Sequence, residues 1–295
     1  MKTLKRIKQT LAFTILLSLI ALHSNAQKHL ELGLEYGFSS YFGDIVPYSA
    51  SPSAALNSNS FGYYLGVGNK WGTVFVNYTT TEIFGADREA TSEGRKRRNL
   101  DFRSPIKEYG TTIEVNPMGI FRKKHSALQP LFIAGFNIFK FNPKTLYNGE
   151  WIELQPLGTE GQGSAFYPDR PKYDLTEISI PLGFGIKYEL NNNVYVGCGL
   201  KVRITFTDYL DDVSKNYVDQ GILESSNGPL AAELAFRTDE LDADANYPIG
   251  ALRGNEDEND WYMTTYLSIG IRFREDPTKP PKNRIRTHKT NCFSF

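Results

Sequence analysis

Carboxylates crowd three short stretches of this sequence, DYLDDVS (208–214), DADAN (242–246) and GNEDEND (254–260). Clustered acids are the raw material of a calcium site, because a hard cation takes oxygen ligands. None of the three has the twelve-residue spacing of an EF-hand loop, so they read as solvated acidic loops. The histidines are scattered at His23, His29, His125 and His288, and the chain contains no H-x-x-H, C-x-x-C or G-x-S-x-G. No nucleophile, base and electrostatic stabiliser come together as a hydrolase would need. The reading is a protein that is not an enzyme and carries no cofactor. Two G-x-G triplets, Gly183–Gly185 and Gly197–Gly199, lie inside alternating segments rather than at a strand-to-helix turn, which removes the case for a nucleotide. Cys198 and Cys292 read as free thiols. With 33 basic and 33 acidic residues there is no broad electrostatic case for nucleic acid.

The elements that carry these residues alternate at period two. In VYVGCGLKVRITF (194–206) every even position is apolar, while the odd positions hold Tyr195, Gly197, Gly199, Lys201, Arg203 and Thr205. Side chains on a strand point alternately to opposite faces, so one face is oily and the other carries glycines and two cations. The same rule runs through 28–44, 178–190 and 261–273, and weaker strands fall at 60–69, 73–83, 108–120 and 131–141. The connections alternate in length: three are short, at 70–72, 121–130 and 191–193, and four are long, at 45–59, 84–107, 142–177 and 207–260. An even strand count with short turns at one end and long loops at the other predicts an all-β fold, an eight-stranded antiparallel transmembrane β-barrel. Strands of about 9–11 tilted residues are long enough to cross a bilayer.

A soluble sandwich or lipocalin-like barrel would show the same alternation with the opposite meaning, its apolar face turned inward. Three features favour the membrane. Glu31, Glu35, Glu114, Glu177, Lys187, Glu189, Lys201, Arg203 and Arg272 all fall opposite the oily face and would line the lumen, where both signs can pair. At mid-bilayer a lipid-facing Lys or Arg would cost about 2–4 kcal/mol. Glycines collect on the same polar face, where eight strands curl around scarce space. Aromatics gather near strand ends: Tyr36, Phe38, Tyr41, Phe42, Phe206, Tyr209, Trp261 and Tyr262 towards the long loops, Tyr188 and Phe273 towards the short turns. They suggest two interfacial girdles. So narrow a barrel is filled by its own side chains, and function falls to the loops, the wall or the tail.

The chain divides into three parts. Lys2, Lys5, Arg6 and Lys8 precede the apolar run LAFTILLSLIAL, so residues 1–26 read as a secretory signal peptide. Residues 27–273 are the barrel. Residues 274–295 form a basic, proline-rich tail expected in the periplasm, where Lys282, Arg284, Arg286 and Lys289 are candidates for contact with an acidic partner. GRKRR (94–98) is a basic run in a surface loop, and GPLAAELAFRTDEL (228–241) predicts a helix within the longest loop.

Specific strings narrow the field. YFGDIVP (41–47), NLDFRSPIKEY (99–109), LQPLGTEGQG (154–163), ISIPLGFGIKY (178–188) and TFTDYLDDVS (205–214) resemble the PorG-like family, small outer-membrane barrels of the type IX secretion system. The resemblance runs from about 30 to 273. It implies a non-catalytic component at the bacterial cell outer membrane, in contact with lipid. Such a barrel anchors or positions a periplasmic ring of a lipoprotein and a second protein, PorK and PorN. The family supplies no catalytic residues. The alternative is a free-standing OmpA-like barrel whose extracellular loops bind surfaces or ligands.

Overall fold

Each alternating segment becomes a strand whose two faces meet different surroundings. The computed structural model describes residues 28–45, 58–121 and 126–274; the stretches read as a signal peptide, 1–26, and as the tail beyond 274 lie outside them. In chain order the strands are β1 His29–Phe42, β2 Asn59–Asn69, β3 Gly72–Ala86, β4 Asp101–Val115, β5 Leu128–Lys140, β6 Lys144–Tyr147, β7 Glu150–Glu153, β8 Thr176–Glu189, β9 Val194–Thr205 and β10 Trp261–Arg274. All pairings are antiparallel, in the cyclic order β1-β2-β3-β4-β5-β8-β9-β10. Strand β10 returns to β1 from His29↔Arg274 to Phe42↔Trp261 and closes the barrel. The hairpin β6–β7 continues the wall above β4 through Arg103↔Lys144. No helix among the described residues is long and apolar enough to cross a membrane.

The strands differ from expectation mainly at their ends. Strand β4 begins at Asp101 rather than 108 and stops at Val115, where Asn116 and Pro117 open the short helix α2, Pro117–Phe121. Pro105 masks the start of β4, because proline cannot donate to a ladder. It is tolerated where β4 has run beyond its pairing with β5, which begins at Lys107↔Lys140. The basic run 94–98 is itself helical, within α1 Glu93–Arg98.

The apolar face points outward. Leu30, Leu32, Leu34, Leu182, Phe184, Ile186, Leu267, Ile269 and Ile271 are all exposed. On the opposite face Glu31 is fully buried and Lys187, Lys201, Arg203 and Arg272 nearly so. Water would not tolerate so broad an oily belt on a monomer, whereas hydrocarbon requires it. The molecule is an eight-stranded transmembrane barrel. Inward glycines make room for rings: a side chain at Gly33 would collide with Tyr64, and one at Gly270 with Tyr195. The hydroxyls of those tyrosines meet at 2.9 Å inside the barrel. Tyr41 and Tyr262 leave the expected girdle for the lumen mouth, where they are buried, and Tyr209 leaves it for the loops, where it stacks on Tyr173 at 4.5 Å. The inward position of the first two follows from strand parity: Tyr41 shares the face of Glu31 and Glu35.

Ile269 is 53% exposed in β10, opposite Leu34 and Val196. Ile269→Arg is therefore expected to destabilise the barrel by about 2–4 kcal/mol in lipid vesicles. The urea-unfolding midpoint of the vesicle-inserted protein measures this, and a midpoint equal to that of the parent chain would contradict the outward assignment.

Candidate functional site

Charged residues fill the barrel in tiers. Near the short turns Lys187 lies 3.2 Å from Glu31 and bonds Glu114, while Arg272 lies 2.7 Å from Glu31 and bonds Glu189. Above them Lys201 meets Glu35 at 2.7 Å, and Arg203 meets Glu108 at 3.1 Å. Tyr262 donates to Glu108 at 2.8 Å. Glu177 stands apart, half-exposed at the loop end of β8 beside Asp174. The sequence reading missed two members of these tiers, Glu108 and His29, whose Nε2 lies 2.7 Å from Glu31. Parity would have found both: Glu108 shares the face of Glu114, and His29 that of Glu31. Paired charges and rings packed edge to face leave the interior a plug rather than a pore.

Above the plug, residues 87–100, 141–175 and 206–260 fold over the mouth. Tyr41, Ile83, Phe102, Ile106, Phe139 and Tyr262 of the barrel mouth form one apolar core with Leu210 and Val213 of the last segment. An unexpected short helix, α3 Gln220–Asn227, precedes the helix expected over 228–241, which forms only as α4 Pro229–Ala235 and a 3-10 turn at Thr238–Glu240. Gly228, at φ 97°, ends the first helix, and Pro229 opens the second at a position where its missing N–H is not needed. The side chain of Asp219 caps α3 by accepting from the Ile222 N–H at 2.9 Å.

Between the core and the helices lies a layer of acids, and here the resemblance-bearing strings meet. From LQPLGTEGQG, Thr159 donates to Asp212 of TFTDYLDDVS at 2.6 Å, and Glu160 accepts from the backbone N–H groups of Ser214 and Lys215 at 3.0 and 3.1 Å. Arg253 lies 3.0 Å from Glu160 and donates to the Asp212 carbonyl at 2.7 Å. From YFGDIVP, Tyr41 donates to Asp260 at 2.5 Å, and Asp44 accepts from the Asn255 N–H at 2.8 Å. Arg98 grips Asp87 with two bonds of 2.7 and 2.8 Å and reaches the Asp44 carbonyl at 2.9 Å. At the edge of NLDFRSPIKEY, Arg237 donates to Asp101 at 2.9 Å. The basic run thus contributes an inward clamp, Arg98.

The expectation of solvated acidic loops fails for 208–214. Asp208, Asp211 and Asp212 are buried, as is Asp260 at the end of 254–260, whereas 242–246 is largely exposed. The run turns inward because its leucine and valine, Leu210 and Val213, belong to the mouth core. Among the described residues no donor lies within good hydrogen-bond geometry of one Asp211 oxygen or of either Asp208 oxygen, although the Tyr41 and Ser214 hydroxyls stand near them. Burial pushes Asp208 up to about 9, Asp211 to about 8 and Asp212 to about 6. The charges of Asp211 and Asp44 add to the shift of Asp208, that of Asp44 to the shift of Asp211, and Arg253 partly offsets the third. Among the described residues no three His, Cys, Asp or Glu side chains are disposed to hold a metal ion.

These shifts fix a pH dependence. A carboxyl raised above its unfolded value binds more protons folded than unfolded, so its contribution falls as pH rises between the two values. Asp44, Glu160 and Asp260 face the group as further acids, with Arg98 and Arg253 as bases and Tyr41 and Ser214 as hydroxyls. The layer is therefore expected to loosen from pH 5 to pH 9. Hydrogen exchange over 206–215, corrected for its intrinsic rate, tests this, and a flat or rising protection would contradict it.

Fold and site together define an eight-stranded transmembrane barrel with a charged, ring-filled interior and a buried acidic layer over its mouth. The chain belongs to the family described as Domain of unknown function (DUF6089), whose model matches residues 8–156. No curated protein matches it by sequence. Among solved structures it is similar to Neisserial surface protein A, at 9% identity and a TM-score of 0.37 over 83% of this chain and 97% of that one. It is also similar to the attachment invasion locus protein of Yersinia pestis, at 9% identity and 0.37 over 85% and 100%. OprG of Pseudomonas aeruginosa follows at 10% and 0.32 over 85% and 97%. Overlaps this loose carry no argument about what the chain does.

Proposed function

We propose that the protein is a non-catalytic component of the type IX secretion system in the bacterial outer membrane, where it anchors or positions the periplasmic PorK/PorN ring. One observation carries the reading. The four loop-side strings that resemble the PorG-like family, distant in sequence, lock into one hydrogen-bonded layer over a plugged barrel. A plug that passes nothing suits a scaffold better than a channel. The periplasmic side would supply the ring contact, with Lys282, Arg284, Arg286 and Lys289 of the tail as its first candidates. The test is capture of PorK and PorN by the tagged, membrane-inserted barrel, with deletion of the gene as the second arm. Ring capture and loss of protein export support the scaffold. Normal export with no capture overturns it. Deleting residues 277–295 is expected to weaken capture while leaving the barrel in the membrane.

One feature favours a second reading, a free barrel that binds external surfaces through its loops: the roof exposes Phe166, Leu241, Ile249 and Leu252. Normal export with lost adhesion would select it.

A further inference from the structure

Lys107 of β4 and Lys140 of β5 face each other directly across the sheet. Both are exposed and lie on the outward face, opposite to that of Glu108 and Phe139. Their register row runs Thr80, Lys107, Lys140, Thr176. One outward row nearer the short turns comes Tyr78, Tyr109, Ile138, Ile178, and Tyr63 extends it on β2. The three tyrosines pack ring to ring, with centroids at 5.2 and 4.7 Å. Tyr63 and Tyr109 are exposed and Tyr78 between them half so, and a line of outward tyrosines marks the level where hydrocarbon gives way to headgroups. The lysines stand one step beyond it, on the side of the long loops, with stems along apolar wall and ammonium groups among headgroups.

Like charges set directly opposite on a sheet are destabilising. Nearby acids do not relieve this pair. Glu82 is taken by Arg103 at 2.5 Å, and Glu153 by Lys144 at 2.9 Å and Asn142 at 2.8 Å. No carboxylate among the described residues bonds either Lys107 or Lys140. An anion seated between the two ammonium groups would remove the repulsion, and a phosphate monoester, with up to two charges and three acceptor oxygens, fits two lysine point charges flanked by two threonines. Further from the tyrosines, the Arg103 guanidinium lies over the exposed Trp151 ring at 5.3 Å, which gives the patch a flat wall.

We propose that Lys107 and Lys140 clamp the phosphate of a phosphorylated glycolipid of lipid A type in the outer leaflet. The proposal rests on the outer-membrane reading and on the long loops facing outward. Its consequence is a barrel with one lipid-fixed side, so that β4 and β5 hold a defined orientation to their surroundings.

The test uses the full mature chain inserted in nanodiscs, offered lipid A in phosphorylated and dephosphorylated forms, with the retained lipid counted by native mass spectrometry. The parent barrel is expected to retain the phosphorylated form with roughly tenfold preference. Lys107→Gln/Lys140→Gln should insert normally and lose that preference, while Arg97→Gln, a cation elsewhere, should keep it. Equal retention of both lipids by the parent chain, or an unchanged preference in the double variant, overturns the clamp. Displacement by millimolar inorganic phosphate overturns the assignment to lipid. Failure to insert into a bilayer at all would instead strike the outer-membrane reading.

Discussion

Replacing Lys187 by methionine is expected to cost the barrel about 3–5 kcal/mol, because breaking a buried pair leaves an uncompensated charge behind. Lys187 is buried between two acids, Glu114 and Glu31, and its ammonium lies 4.7 and 4.8 Å from the Tyr195 and Phe75 ring centroids. Glu31 keeps Arg272 and His29, each at 2.7 Å. Glu114 has Lys187 as its one ion-pair partner among the described residues, so the variant strands it inside a water-poor wall. Lys187→Met/Glu114→Gln removes both charges and should recover most of the loss. Urea unfolding in lipid vesicles, followed by the gel-mobility difference between folded and unfolded barrel, measures both. A single variant unfolding at the parent midpoint, or a double variant no better than the single, would contradict the plug.

The second large effect belongs to the roof. Arg253→Met removes the one cation that joins Glu160 of residues 141–175 to Asp212 of residues 206–260, and also a bond of 3.3 Å to the Ala235 carbonyl at the end of α4. Glu160 and Asp212 are fully buried and would lose it together. The expected penalty is about 3–5 kcal/mol, but it should fall on the roof alone, since the strands below pair without it. Hydrogen exchange should therefore rise over 154–163 and 207–214 while β1, β9 and β10 keep their protection. Unchanged exchange in those segments would contradict the clamp. A collapse of strand protection as well would show that roof and barrel are one cooperative unit.

The barrel was legible because its alternation is local. Leu30, Leu32 and Leu34 against Glu31, Gly33 and Glu35 state which face is which before any contact is known, and the structure seats them accordingly. Parity also held information that aromatic content concealed, since Tyr41 and Tyr262 sit at strand ends like girdle residues yet carry inward register. The roof was illegible for the opposite reason. Asp212 finds Thr159 and Tyr173 from another loop, and Asp260 finds Tyr41 from the far end of the chain. No short window of sequence records those meetings. An acidic run with apolar residues inside it, Leu210 and Val213 within 208–214, is the one trace they leave. Pro105 hid the first residues of β4 for another reason, a local rule that the barrel's geometry overrides.

Cys198 offers the most direct test of an outward oily face. It lies on the outer surface of β9, opposite Leu267 and Ile186. With Cys292→Ser it is the single thiol in the chain. A spin label there, in the barrel inserted in lipid vesicles, should collide freely with oxygen dissolved in hydrocarbon and rarely with a water-soluble nickel complex. If the nickel complex reaches it more readily than oxygen does, the apolar face does not look at lipid.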